Sequence, residues 1–269
     1  MTGGARYVLL TVSGCVLVFL LAPFLFVVVG SLGADAVITF PPRSLTLHWY
    51  TQISPEFIRA FGVSLLLAAI SSVLSIMLAF PAALGLVRGQ FGGKAAVQAL
   101  LRAPLQVPQL VIGVAFLQFY RLAEDVNDMR LTGSFIGLVL AHLCFTVPYA
   151  ISALSAALAK TNLHVEEAAY SLGASRWSTL RRVTLPSIRQ GISAAMFFAF
   201  ITSFENVPVS LFLVGSGVTT LPIMIFEEVQ FAFSPIILAV STIVVVASTV
   251  LILLVQRFAG LSPNSDQAD

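Results

Sequence analysis

The chain has 269 residues, of which 58% are hydrophobic and only 10% are charged, and its mean hydropathy is +0.98. Soluble domains carry about 25% charged residues, so this composition excludes an ordinary water-soluble domain and indicates a chain solvated largely by lipid. The formal net charge of only +2, together with the lack of a basic arm, also argues against a nucleic-acid-binding protein.

Six apolar stretches are long enough to cross a bilayer, for which a helix needs roughly 20 mostly apolar residues. Their hydrophobic runs lack strand-like alternation, which favours helices over a barrel. We therefore predict an all-α membrane protein with six transmembrane helices and a single transmembrane domain, residues 1–269. The predicted spans are about Tyr7–Val29, Phe61–Val87, Ala103–Phe119, Gly133–Leu158, Ile192–Val214 and Pro235–Val255.

The first span has an alternative interpretation as a secretory signal. Arg6, the apolar run and Ala34-Asp35-Ala36 resemble a signal peptide with its cleavage site. The apolar run exceeds the roughly 7–15 residues of a signal h-region. We therefore expect a retained first span.

The lysines and arginines predict the orientation of the spans, because cytoplasmic loops carry an excess of them. Four lie on one side: Arg43, Arg59, Arg121 and Arg130. The other side, which includes both termini, holds Arg6, Arg88, Lys94, Arg102, Lys160, Arg176, Arg181, Arg182, Arg189 and Arg257. Both termini and the loop between the fourth and fifth spans are therefore predicted to be cytoplasmic.

That loop contains a spaced motif. Glu167-Ala168-Ala169 is followed after three residues by Gly173, and after nine more by Val183 and Leu185-Pro186. The residues from about Leu163 to Leu172 are predicted to form a helix, since alanine favours helices and acids are favourable near a helix start. Gly173 suits the left-handed position that often follows a helix.

The motif resembles the cytoplasmic coupling loop of permease subunits from binding-protein-dependent ABC importers, in which it also lies between spans four and five of six. Further similarity runs through Leu172–Pro186 and Ala141–Tyr149. Thr202–Asn206 and Thr219–Ile223 resemble in particular the second permease of spermidine/putrescine-type importers. That branch usually has Ser-Phe-Asp-Glu where this chain has Ser-Phe-Glu-Asn, and the missing acid weakens the expectation of a polycationic substrate.

The resemblance implies the type I ABC importer permease fold and a coupling loop at about residues 160–189. The residues that it assigns to ATPase coupling are Glu166, Glu167, Ala168, Ala169, Gly173, Val183, Leu185 and Pro186. It also implies a dimer of ATP-binding subunits, a second and related permease, and an extracytoplasmic substrate-binding protein, all at a bacterial inner membrane.

The chain itself is not expected to be an enzyme or to bind a cofactor. A P-loop needs a glycine-lysine pair followed by serine or threonine, and the only two lysines, Lys94 and Lys160, do not fit it. ATP is therefore expected to be used by the partner ATPase. The two cysteines, Cys15 and Cys144, lie in apolar stretches and predict neither a disulfide framework nor a metal site.

The candidate residues of the translocation path or gate are Glu205, Asn206, Tyr149 and Gln118. Glu205 is predicted to lie deep in the fifth span, where an ionisable residue usually faces the bundle interior or water. It either meets an amine of the substrate or serves as a structural carboxylate bonded to Asn206 or to a neighbouring helix. His142 is either a proton carrier or a buried, hydrogen-bonded neutral histidine.

Other functions remain open at this point. A stand-alone channel or an ion-coupled carrier could use Glu205 and His142, although the inverted repeats common in such carriers are not visible. A membrane-integral enzyme lacks a catalytic constellation. Within the importer interpretation, the substrate is a polyamine or related small amine, with an organophosphonate, an amino acid or an inorganic ion as alternatives.

Overall fold

The computed structural model describes residues 3–215, 217–231 and 234–259, and this part of the chain consists mainly of helices. Two isolated β-bridges, Gly33–Leu45 and Gly215–Val218, are its only strand-like pairings. The helices are α1 (Gly3–Ser31), α2 (His48–Thr51), α3 (Pro55–Arg88), α4 (Lys94–Arg102), α5 (Gln109–Asn127), α6 (Phe135–Ala159), α7 (Leu163–Ser171), α8 (Arg176–Thr179), α9 (Leu185–Ser187), α10 (Arg189–Phe204), α11 (Leu221–Phe231) and α12 (Pro235–Ala259).

Three helices of the described chain are long and apolar enough to cross a membrane: Arg6–Ser31, Pro55–Arg88 and Phe135–Ala159. A fourth candidate is the pair formed by residues 94–106 and 109–126, which is bent by 97°. These elements correspond to the predicted spans one, two, four and three, so the chain is a multi-pass membrane protein.

The boundaries of the predicted third span, Ala103–Phe119, are wrong. Residues Ala103–Gln106 form a short 3-10 turn, and α5 begins only at Gln109 and continues to Asn127. Pro104 and Pro108 explain the late start, because proline lacks a backbone N–H and disfavours helical geometry in the residue before it. The structure places the break where the apolar pattern alone is continuous.

The predicted fifth span, Ile192–Val214, is also interrupted. Helix α10 ends at Phe204, and the following chain is irregular apart from a 3-10 turn at Ser210–Phe212. The Oδ1 atom of Asn206 accepts from the backbone N–H groups of Val209 at 3.0 Å and Ser210 at 3.3 Å. These bonds replace helical ones and stabilise the break.

The chain divides into two compact units. Among the described residues, the first unit comprises residues 3–58 and 225–252, and the second comprises residues 59–224 and 253–259. The single domain of residues 1–269 stays a prediction.

The first unit contains α1, α2 and most of α12. No residue of the apolar α1 window is buried within the described chain. The loop after α1 is held by hydrogen bonds from Trp49 Nε1 to Gly33 O and between the hydroxyls of Ser31 and Tyr50, both of 2.7 Å.

The second unit is built around α6, which carries the largest buried face of the described helices. One apolar cluster gathers Leu67, Tyr120, Leu138, Phe145 and Leu213, among others. A second cluster lies nearer the other end of α6 and includes Ala79, Ala83, Leu154, Leu158 and Ile188. Helix α6 thereby forms the core against which α3, α5 and α10 pack.

Helices α6 and α10 approach closely at Gly191. A Cβ atom added to Gly191 would collide with Ala157 on α6. Small residues allow such close backbone approach between helices in lipid. The same addition at Gly85, on α3, would meet no atom within 4 Å.

We predict that Gly191→Ala lowers the thermal stability of the purified protein, because overpacking typically costs about 1–3 kcal/mol. Gly85→Ala is the matched control and is expected to be neutral or stabilising, since alanine favours a helix by roughly 1 kcal/mol over glycine. Melting temperatures in mild detergent provide the measurement. A Gly191→Ala variant as stable as Gly85→Ala would contradict the packing.

Candidate functional site

The loop motif forms a short, well-capped helix. Helix α7 spans Leu163–Ser171, close to the prediction, and the side chain of Asn162 accepts from the backbone N–H of His164 at 3.0 Å to cap its start. At its end Gly173 has φ +84°, in the left-handed region that favours glycine. The pattern predicted both the helix and the special backbone at this glycine.

The turn after α7 is a Schellman motif. The N–H of Ala174 donates to Ala169 O at 3.0 Å, and the N–H of Gly173 donates to Tyr170 O at 2.9 Å. These two bonds satisfy carbonyls that a helix end would otherwise leave unpaired. The α7 end is therefore a stiff element rather than a frayed turn.

The two adjacent acids of the motif differ in environment. Glu166 is buried, and its Oε1 atom accepts from Arg88 Nη2 at 3.0 Å and from Thr184 Oγ1 at 3.1 Å. Glu167 is exposed, and its carboxylate contacts His164 Nδ1 at 3.1 Å on the same helix. Glu167 is thus free to meet another protein, whereas Glu166 is engaged within this chain.

The other motif residues also divide between surface and interior. Ala168, Gly173 and Pro186 are exposed, whereas Ala169, Val183 and Leu185 are half-buried. Near them lie large apolar side chains that are largely exposed: Leu163, Tyr170, Leu172 and Trp177. Leu172 is 89% exposed and Trp177 70%. An exposed apolar patch of this kind marks an interaction surface, and the motif alone had not pointed to these four side chains.

The chain then enters α10 through an irregular helical segment. Ser175 Oγ caps α8 by accepting from the N–H of Ser178 at 3.3 Å, and residues Leu180–Thr184 form a π-helical turn. Such turns interrupt α-helices and frequently occur at functional sites. Pro186 follows in α9, immediately before α10 starts at Arg189.

The candidate path residues do not form one cluster. Glu205 is the residue that caps the end of α10, and its side chain is exposed, so it does not lie within a continuous helix as the predicted fifth span implied. It forms no side-chain hydrogen bond or ion pair within residues 3–215, 217–231 and 234–259, so the predicted bond to Asn206 is absent there. Tyr149 and Gln118 are exposed on α6 and α5.

Asn206 has the structural role that had been considered for Glu205. It is 4% exposed, and its Nδ2 atom donates to Gln109 Oε1 at 2.9 Å. With the two backbone bonds to its Oδ1, Asn206 joins the break after α10 to the first residue of α5. Gln109 lies 97 residues away in sequence, so no local pattern could have identified it.

His142 is fully buried on α6. Its Nδ1 atom is 2.8 Å from Ser203 Oγ and its Nε2 atom is 3.0 Å from Ser210 Oγ. Both ring nitrogens are therefore occupied by hydroxyls on either side of the break after α10. This arrangement matches the buried, hydrogen-bonded histidine considered from the sequence.

The family model described as "Binding-protein-dependent transport system inner membrane component" matches residues 75–262, which include the loop motif, α10 and the break after it. The chain belongs to this family. It is a permease of an ABC importer and a component of the membrane.

Two relatives are polyamine permeases. The putrescine transport system permease protein PotI of Escherichia coli (strain K12) is 29% identical over 228 residues, covering 84% of this chain and 81% of that protein. The spermidine/putrescine transport system permease protein PotC of the same strain is 26% identical over 219 residues, covering 81% of each. The sulfate transport system permease protein CysT, also of that strain, is 24% identical over 230 residues, with 81% and 82% covered.

Solved structures support the fold. A chain of a bacterial ABC transporter involved in the import of the acidic polysaccharide alginate matches with a TM-score of 0.73 at 13% identity, over 96% of this chain and 98% of that one. A chain of the MetNI methionine ABC transporter matches with a TM-score of 0.60 at 15% identity, over 77% and 96%. The fold is therefore the type I ABC importer permease fold.

We predict that Asn206→Ala lowers the melting temperature of the purified protein. The change removes the bond to Gln109 and leaves the buried N–H groups of Val209 and Ser210 without their acceptor, and each such loss costs about 1–3 kcal/mol. Glu205→Ala, one residue away on the surface, is the matched control with an expected effect within about 0.5 kcal/mol. Equal destabilisation by both variants would contradict the assignment of Asn206.

Proposed function

We propose that this chain forms half of the translocation path for a small polar solute and couples that path to a separate ATPase through the loop at about 160–189. The observation that carries the proposal is α7, a rigid helix with exposed Glu167 and Ala168 and a left-handed Gly173 at its end. The apolar Leu172 and Trp177 beside it provide surface for a partner to bury.

The remaining architecture of the proposal has six spans with both termini in the cytoplasm. Helices α10 and α12 would supply spans five and six, and the bent segment from α4 to α5 would supply span three. The ten-to-four division of lysine and arginine supports this orientation. It puts α7 on the side of the bacterial inner membrane where ATP is available.

The proposed partners are those of an ABC importer: a dimer of ATP-binding subunits, a second and related permease, and an extracytoplasmic substrate-binding protein. Another chain that matches this fold, with a TM-score of 0.70, comes from a structure of a bacterial alginate ABC transporter in complex with a periplasmic protein. The chain itself needs no cofactor and performs no chemistry, because ATP is used by the partner.

The mechanism follows from how α7 is held. Closure of the ATPase on ATP would push α7, and the continuous segment from α8 to α10 would carry that movement into span five. Spans three to five would rock and open the path outward, where the binding protein releases its substrate. Hydrolysis would then return the path to the inside.

A polyamine or related small amine is the proposed substrate class, supported by the similarity to PotI and PotC. The carboxylate of Glu205, which is exposed and has no partner within the described residues, supports this substrate class chemically. A carboxylate binds a protonated amine through a charge-assisted hydrogen bond. The similarity to the sulfate permease CysT keeps an inorganic ion as the second candidate.

Purification of the tagged chain from native membranes in mild detergent, followed by mass spectrometry, tests the proposal. We expect recovery of a P-loop ATPase and a second permease, and uptake of labelled putrescine that requires that ATPase. Recovery of the chain alone after gentle cross-linking, with uptake that persists without an ATPase, would instead support a channel or ion-coupled carrier.

We predict that Gly173→Asp abolishes uptake while the chain still inserts into the membrane. The added Cβ would have open space, so the damage comes from the left-handed backbone and from a new charge on the α7 surface. Gly92→Asp, another exposed loop glycine with open space but without a positive φ, is the matched control. Normal uptake by Gly173→Asp would refute the coupling role of this loop.

We predict that Glu205→Gln reduces putrescine uptake and leaves the purified complex intact, because it removes the charge without shortening the side chain. Uptake kinetics and size-exclusion chromatography provide the two readouts. Disassembly of the complex would show that Glu205 acts structurally between subunits, and unchanged uptake would remove it from the path.

A further inference from the structure

Glu166 lies at the point where four segments of the second unit meet. Its Oε1 atom accepts from Arg88, the last residue of α3, and from Thr184, the last residue of the π-helical turn before α9. The same Arg88 nitrogen donates to Thr161 Oγ1 at 2.7 Å, just beyond the end of α6. A single carboxylate on α7 therefore joins the ends of α3 and α6 to the segment that leads into α10.

The charge pair is shielded from solvent more than a surface pair would be. The side chains of Arg88 and Glu166 are 18% and 12% exposed, whereas the pair Arg130–Glu124 on this unit is 85% and 38% exposed. Exposed pairs are weak, but breaking a buried pair leaves an uncompensated charge. Movement of α7 without its partners is therefore opposed by this contact.

Thr184 connects Glu166 to an irregular helical turn that leads toward α10. Residues Leu180–Thr184 form the π-helical turn, and Thr184 itself is 3% exposed. A π-turn inserts an extra residue into the helical ladder and is a local irregularity at which a helix can change register or direction. Glu166 holds that irregular turn from α7, across 18 residues of sequence.

We propose that Glu166 is a positioning residue that transmits movement of α7 to the π-turn through Thr184, with Arg88 and Thr161 anchoring the carboxylate. The inference rests on the proposed function, and it assigns Glu166 a role within this chain instead of a contact with the ATPase. Glu167, its exposed neighbour, keeps the role of meeting the partner. The two acids of the motif thus have different tasks.

The test uses the complete complex, with its ATPase and the proteins that copurify with it. Cys15 and Cys144, the only cysteines of the chain, are replaced by alanine, and Gln118→Cys on α5 serves as a reporter. The labelling rate of this chain by a maleimide is measured by mass, without nucleotide and after trapping with ATP and vanadate. The ratio of the two rates reports movement of the membrane helices without knowledge of the substrate.

Three substitutions, two at Thr184 and one at Glu166, interrupt or preserve the hydrogen bond between these two side chains. Thr184→Val removes the hydroxyl at nearly constant shape, and Thr184→Ser keeps a hydroxyl at this position. Glu166→Gln removes the charge of the carboxylate. Thr249→Val is the matched control, because the Thr249 hydroxyl bonds only to Val245 O within α12 in the described structure. ATP hydrolysis, subunit composition and melting temperature are recorded for each variant.

We expect Thr184→Val and Glu166→Gln to bring the labelling ratio close to one while ATP hydrolysis continues and all subunits remain bound. Thr184→Ser is expected to restore the ratio, and Thr249→Val to leave it as in the parent. A purely structural role would lower the melting temperature and leave the ratio unchanged, and that result would overturn the proposal. Loss of the ATPase from Glu166→Gln would also overturn it, since Glu166 would then bind the partner.

Failure of the proposed function is distinguishable in the same experiment. A parent complex without any ATP-binding subunit, or without a nucleotide-dependent labelling ratio, would reject the importer mechanism and this inference with it. If the parent complex shows a nucleotide-dependent labelling ratio and the Glu166→Gln and Thr184→Val variants show the same ratio, only the inference about Glu166 is rejected.

Discussion

The structure depends on one constraint, which is that polar groups removed from water need partners within the protein. Lipid supplies no hydrogen bonds, so helices that satisfy their own backbone are the default in this chain. Where the second unit departs from regular helix, side chains supply the missing partners. Asn206 bonds to two backbone N–H groups and to Gln109 after α10 ends, and His142 bonds to serines on either side of the same break.

The same constraint explains how one acid of the loop motif can be buried within the chain. A carboxylate can be buried beside the end of α3 and the π-helical turn only because Arg88 and Thr184 satisfy it. The result is a loop with two faces. Its inner face, through Glu166, is fixed to its own chain, and its outer face leaves Glu167, Leu172 and Trp177 exposed. A transporter that converts ATP-driven movement into helix movement needs both.

The sequence predicted the local features well, because those features depend on neighbouring residues. Helix α7 and the left-handed Gly173 follow from alanine propensity, acid placement and glycine freedom within about ten residues. The local sequence pattern could not show that Glu166 is buried and Glu167 is exposed, since Arg88, which pairs with Glu166, lies 78 residues away. The break after Phe204 was missed for a related reason: Val207–Val214 continues the apolar run, and hydropathy does not register the hydrogen bonds of Asn206. In the third span, Pro104 and Pro108 delay the start of the helix, whereas the apolar pattern alone predicts a continuous helix from Ala103.

We propose that α7 and its apolar surroundings contact a separate ATP-binding subunit. A photo-cross-linking amino acid at position 172, where Leu172 is 89% exposed, tests it in living cells, with position 100 on α4 as an exposed comparison site. We expect an adduct between position 172 and a P-loop ATPase, and none from position 100. The absence of an ATPase adduct at 172 in a complex that still transports its solute would contradict it.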